Sequence, residues 1–228
     1  MTGAGGRGVV YTGLAGTGLA GTGRLADDLY LLAHHELTGK PHLQPRAAGL
    51  GMAGGLLAEL MLVGSIRCWR GLVIPAGGGP PGDDLAHRTL GLVVGEPRHR
   101  PPRDWLLYLA RTAARDIAAR LACAGYLRQV RGRRFAPGAR WVPVDPDSAF
   151  APLIRVKAAL RSPGLDPAHT TLAALATASG LSHQLTRYLP AEADRRLGEA
   201  AGWLDPSLRE LIGQTQAAVD GALLAHRV

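Results

Sequence analysis

The chain reads as one mainly α-helical domain with a projecting basic β-hairpin. Three observations predict this. Apolar residues recur at helical spacing through most of the chain from Leu25 onward, strand-like runs are few and short, and arginine is concentrated in one helix-plus-hairpin segment. With 228 residues, 46% hydrophobic and 19% charged, the chain can build a sizeable core, which excludes wholesale disorder.

Residues 1–23 are Gly-rich and repetitive, with TGLAG occurring twice. Gly16, Gly18 and Gly21 spell the dinucleotide fingerprint, but the preceding strand and following helix that the fingerprint needs are missing, so a flexible leader is expected. Leu25, Leu29, Leu32 and Ala33 then set a helix over 25–37, with Gly39 as its stop. His34, His35 and Glu36 at its end point about 100° apart per residue and cannot close on one metal ion, so a solvated helix end is expected. Residues 47–66 carry one charge, Glu59, and are long enough to span a bilayer. A charge near the centre of a span costs about 2.5–3.5 kcal/mol, and five glycines suit close packing. The segment is therefore read as a buried helix with Glu59 paired or at a solvent edge.

Ile66 to Ile74 predicts a short hairpin turning at Arg70-Gly71, and a helix follows near Asp83, where acids favour the helix N-terminus. Asp104 to Ala124 is the most regular helix, with Leu106, Leu109, Ala113, Ile117 and Leu121 in one arc and Gly125 ending it. Tyr126 to Val144 predicts a hairpin with Pro137-Gly138 at its turn. Helices return at Phe150–Arg161, Thr170–Ser179, Ser182–Tyr188, Ala191–Ala201 and Pro206–His226, the last with Asp205 as N-cap.

The net charge of +8 is local. Residues 98–140 hold 11 arginines and 2 acids, a net +9, which is a binding-face pattern. On the 104–124 helix, Arg111 and Arg115 read as an i,i+4 pair without a local acid, whereas Asp116 stands four residues before Arg120 and is expected to engage it. An unrelieved arginine pair invites an external anion, and phosphate fits it. The 128–141 hairpin mixes Arg128, Arg131, Arg133 and Arg134 with Val130, Phe135 and Trp141, which suits the boundary between lipid head groups and acyl chains. The same hairpin would serve as the wing of a winged-helix nucleic-acid binder. GxSxG, Walker, HExxH and CxxC motifs are absent, so neither catalysis, a cofactor nor a metal is expected. Two cysteines, Cys68 and Cys123, make no disulfide framework, and a reduced, cytoplasmic setting is expected.

The ordered pieces LADDLYLLAHHELTGKP, GMAGGLLAELMLVGSI and DWLLYLARTAARDIAARLACAGYL, followed by the basic hairpin, resemble the Golgi phosphoprotein 3 family and its bacterial relatives. The likeness runs from about Leu25 to the C-terminus and makes 24–228 one family-like domain. It implies a helical, non-enzymatic peripheral membrane protein with a pocket for the phosphatidylinositol 4-phosphate head group, whose eukaryotic members also bind cytosolic tails of Golgi enzymes. The family pocket uses an aromatic and an arginine around the start of the central helix, plus two arginines on the helix before the hairpin. Arg111 matches the first of these helix arginines. The second falls on Ala114, with Arg115 one residue on; the central-helix arginine falls on Ala53, and the tryptophan position near Gln44, with Arg46 close by.

The resulting expectation is a cytoplasmic, peripherally membrane-associated protein that binds phosphoinositide or other anionic head groups through Arg111, Arg115, Arg46 and Gln44 and leans on the bilayer with the hairpin. Membrane-protein tails are further partners implied by the resemblance. Nucleic acid ranks behind lipid, because the helix before the hairpin is too long and alanine-rich for a recognition helix. The sequence does not decide whether the chain forms a homo-oligomer.

Overall fold

The computed structural model describes residues 22–79, 81–131, 139–161, 166–186 and 192–225. The Gly-rich leader up to residue 21 lies outside them, as do Arg133, Arg134, Phe135 and the Pro137-Gly138 turn. Among the described residues the chain forms ten helices and two antiparallel hairpins in a mainly α domain. Helix α1 (Leu25–Leu32) is buried along its whole length and packs on α2 (Pro45–Leu62). Hairpin β1 (Ile66–Trp69) and β2 (Leu72–Pro75) follows, then α3 (Asp84–Gly95), α4 (Pro102–Leu109) and α5 (Ala113–Cys123). The second hairpin, β3 (Leu127–Arg131) and β4 (Ala139–Pro143), leads into α6 (Pro146–Arg161), α7 (Pro167–Ala178), the short α8 (Ser182–Thr186), α9 (Glu192–Gly202) and α10 (Pro206–Leu224).

Helix α2 is the axis of the core. It packs against α1, α4, α5, α7 and α10, and its glycines make this closeness physically accessible. A Cβ on Gly49 would stand 2.6 Å from the Ala110 carbonyl oxygen, and one on Gly55 would stand 3.1 Å from the Cα of Ala26. Buried on nearly all sides, the helix has no single apolar stripe to show. Among the described residues no helix is long and apolar enough to cross a membrane.

Capping follows the sequence closely. Asp83 accepts from the Leu85 and Ala86 amides, Asp205 from Ser207, and Asp145 from Asp147 and Ser148, which starts α6 four residues before the expected Phe150. The β1–β2 hairpin turns at Arg70-Gly71, both at positive φ, as expected.

Two further differences from the expected helices shape the site. The first helix ends at Leu32 rather than Leu37, because the backbone turns out at Ala33, whose carbonyl accepts from His42, while His34 Nδ1 sits 2.7 Å from the Tyr30 carbonyl. His34 therefore stacks on Tyr30 instead of ending a solvated helix. Gly39 (φ +62) lies further on, where the loop runs against the Trp141 backbone with no room for a side chain. The expected 104–124 helix is two helices, broken at Ala110–Thr112. Its apolar arc is nonetheless buried throughout, from Leu106 to Leu121. The break lets α4 pack on α10 while α5 turns onto α1.

Two glycine substitutions should separate packing from propensity. Gly49→Ala should destabilise the fold by about 1–3 kcal/mol although alanine is the better helix former, because backbone blocks the new methyl. Gly91→Ala, on α3 with open space around it, should stabilise by about 0.4–1 kcal/mol. Chemical denaturation of both variants measures the contrast; equal effects would disprove the close-contact account.

Candidate functional site

Helices α2 and α10 run antiparallel, which defines two ends of the domain. The N-terminus of α2 lies beside the C-terminus of α10, and together they line a cleft of about 230 Å³ formed by Gln44, Pro45, Arg46, Ala47, Ala222, Leu223 and Ala225. Proline at the first helical position fixes the entry into α2, and the N-cap Gln44 makes no side-chain hydrogen bond to the first turn. That turn contains no acid, so the positive end of an 18-residue helix faces outward with Arg46 beside it.

The close approach at Gly49 brings the α4–α5 break to the same end, one helical turn from Arg46. Arg111 sits in that break and is exposed; its amide and that of Thr112 close tight turns onto Tyr108 and Leu109. The loop that carries Gly39 then packs β4 against this end through the Trp141 backbone. In β3–β4, Trp141 is half-buried opposite Gln129, Arg128 and Arg140 are exposed, and Val130 is partly buried. Gln44 and Arg46 thus line the cleft, Arg111 follows the Ala110 whose carbonyl meets Gly49 one turn along α2, and the hairpin meets the loop before α2 at Gly39. Arg131 lies on β3, and Arg133, Arg134 and Phe135 lie outside the described residues.

Two sequence readings of the arginines are corrected. Arg111 sits within the helix break and Arg115 lies beyond it on α5, rather than one turn apart on one helix, and Asp116 engages Arg115 at 3.1 Å rather than Arg120. Arg115 therefore has a local acid. Arg120 is not part of an outward face at all. It is 9% exposed and binds three carboxylates.

The Golgi phosphoprotein 3 (GPP34) family model matches residues 25–215, from the start of α1 into α10. The chain belongs to the Golgi phosphoprotein 3 family. No curated protein matches it. Among the described residues of this family member, no group of three or more His, Cys, Asp or Glu is placed to hold a metal ion. The two cysteines are free, Cys68 half-buried and Cys123 exposed.

Sequence reasoning missed the α10 contribution to the cleft. The Leu223-Leu224 pair at the end of a helix, both exposed, was the available signal. It also missed the buried charge cluster that holds this family member together. Arg120 Nε donates to Asp27 at 2.8 Å, its Nη1 to Asp83 at 3.0 Å, and its Nη1 and Nη2 to Glu59 at 3.3 and 3.2 Å. Glu59 also accepts from the Ala26 amide at 2.8 Å, and Arg24 reaches Asp83 at 3.1 Å. The expectation that Glu59 is paired is met here.

Three acids share two arginines, so one carboxylate is in excess. Burial raises Asp27 from 3.8 to about 7 against the pull of Arg120, with Glu59 adding to the rise. Burial raises Glu59 as well, again against Arg120. Partial burial pushes Asp83 upward, but the Ala86 amide and Arg120 hold it below the usual carboxylate range. Burial disfavours the Arg120 charge, yet Glu59, Asp27 and Asp83 outweigh this and raise its pKa.

Removing Arg120 leaves buried carboxylates without their counter-charge. Arg120→Ala should therefore cost at least about 3–5 kcal/mol, read by denaturant unfolding; a loss below about 1 kcal/mol would contradict the cluster's role. Asp27 holds a proton in the folded chain up to about pH 7 but loses it near 3.8 when exposed. Its protonation contributes fully to stability below the lower value, and the contribution is lost as pH rises through the higher one. Thermal melts of Asp27→Asn should accordingly show a flatter dependence between about pH 4 and pH 7 than the parent chain. Parallel curves would contradict it.

Proposed function

We propose that this Golgi phosphoprotein 3 family member is a non-enzymatic peripheral membrane protein that binds phosphorylated, phosphatidylinositol 4-phosphate-like or other anionic lipid head groups. The observation that supports this reading is that the α4–α5 break, which carries Arg111, meets α2 at Gly49, one turn from its uncapped N-terminus, Gln44 and Arg46. A helix N-terminus offers backbone donors and a positive dipole end, and each nearby arginine adds about 1 kcal/mol at an anionic surface. Arg115 is a weaker contributor because Asp116 already offsets its charge. The exposed Arg128 and Arg140, with the half-buried Trp141, support a hairpin that rests on the same bilayer. Family membership supports membrane-protein tails as cargo.

Co-sedimentation with liposomes tests the site. The double variant Arg46→Ala/Arg111→Ala should weaken binding to phosphatidylinositol 4-phosphate vesicles by at least about tenfold. Arg115→Ala should weaken it less, and Arg88→Ala, exposed on α3, should leave it unchanged. Equal losses in all variants would replace the site with a diffuse basic surface. Tighter binding to random duplex DNA at matched salt would overturn the lipid reading.

A further inference from the structure

The end of the domain opposite the Arg46 cleft carries a second, differently built surface. Helix α2 runs out at Leu62 and the chain turns directly into β1, while α10 starts beside it, with Ser207 Oγ donating to the Cys68 carbonyl at 3.4 Å. Both helices are about 27 Å long at 1.5 Å per residue, so this end lies that far from the cleft.

The β1–β2 ribbon is two-faced. Ile66 and Val73 face the core, and Cys68 packs against it. The other face presents the cross-strand pairs Trp69–Leu72 and Arg67–Ile74, with Trp69 54% exposed. Trp203, in the link between α9 and α10 four residues before Ser207, is 91% exposed at the same junction. The guanidiniums of Arg67 and Arg70 lie 5.4 and 5.8 Å from the centre of the Trp69 ring, and neither has a carboxylate partner among the described residues. Arg70 is also the one non-glycine at positive φ among the described residues (+52), in a two-residue turn where Asn or Gly would sit without strain.

We propose that this end is a second bilayer-contacting surface, with Arg67 and Arg70 meeting anionic lipid phosphates and Trp69 and Trp203 seated at head-group level. Indoles flanked by cations, with an aliphatic neighbour in Leu72, match the chemistry of the membrane interface, where tryptophan is enriched. The hairpin itself, from Ile66 to Pro75, carries two positive charges and no acid, while Asp205 and Glu210 act on Cys68, on the ribbon face opposite Arg67, so the cationic side is the outward one with Arg67 and Trp69. Since the two surfaces lie at opposite ends of α2 and α10, one flat bilayer cannot engage both. If the Arg46 end holds one membrane, a consequence that rests on the function proposed above, a single molecule links two.

Binding to phosphatidylcholine–phosphatidylserine vesicles tests this with four proteins: the parent chain, Arg46→Ala/Arg111→Ala, Trp69→Ser/Arg70→Asn/Trp203→Ser, and the combination. Circular dichroism melts should show all four folded, since the substituted side chains are exposed and Asn suits the turn. The Arg46/Arg111 variant should retain vesicle binding that the three hairpin-end substitutions then reduce by about fivefold or more. Vesicle clustering, read by light scattering, should be lost in either partial variant. Unchanged binding when the hairpin-end substitutions are added to the Arg46/Arg111 variant would overturn the proposal, as would clustering that survives them. Parent-like binding by the Arg46/Arg111 variant would instead remove the head-group site while leaving this surface standing.

Discussion

Arg120 gathers carboxylates from α1, α2 and the N-cap of α3 into one buried cluster. Taking those charges out of water is costly, and only the fork geometry of the guanidinium, with the Ala26 amide and Arg24 completing the set, makes the burial tolerable. The cluster fixes where α5 lies against α1, α2 and α3. Helix α4 must separately cover α10, so one straight helix cannot serve both demands, and the chain bends at Ala110–Thr112. The bend in turn sets Arg111 at the domain's end, facing solvent. Internal charge and external charge are therefore linked through a single break.

The same reasoning connects α2 to function. Its glycines allow neighbours to approach to backbone distance, and Gly49 in particular seats the Ala110 carbonyl. This contact places Arg111 near the first turn of α2, where Arg46 and an uncapped helix end already favour anions. A second ion pair, Arg155 with Asp28, ties α6 to α1 and neutralises the other buried acid of the first helix. Charges that serve the fold are thus buried and paired, while those at the α2 end are exposed.

Much of this was legible in the sequence because it follows from periodicity and local chemistry. The helix and hairpin order, the Asp83 and Asp205 caps, the Arg70-Gly71 turn and the buried character of α2 all come from patterns within a few residues. The family was legible from ordered segments rather than from any short motif. What was not legible depends on distant partners. Nothing near Arg120 distinguishes it from Arg115, and Asp116 at the favourable spacing pointed to the wrong arginine. Its true partners lie 37 to 93 residues away. The break at Ala110 carries no glycine or proline to announce it, since it answers to tertiary packing, and so the spacing of Arg111 and Arg115 was misread. The α10 side of the cleft was invisible because residues far apart in sequence meet there only through the antiparallel pairing with α2.

The central claim is that the α2 N-terminus and the α4–α5 break form one anion-binding site. Amide chemical-shift mapping with a soluble head group, inositol 1,4-bisphosphate, tests it most directly. The account predicts that the largest shifts fall on the amides of Arg46, Ala47 and Arg111 and disappear in Arg46→Ala/Arg111→Ala. Shifts confined to other arginines, with these amides unmoved at saturating ligand, would contradict it.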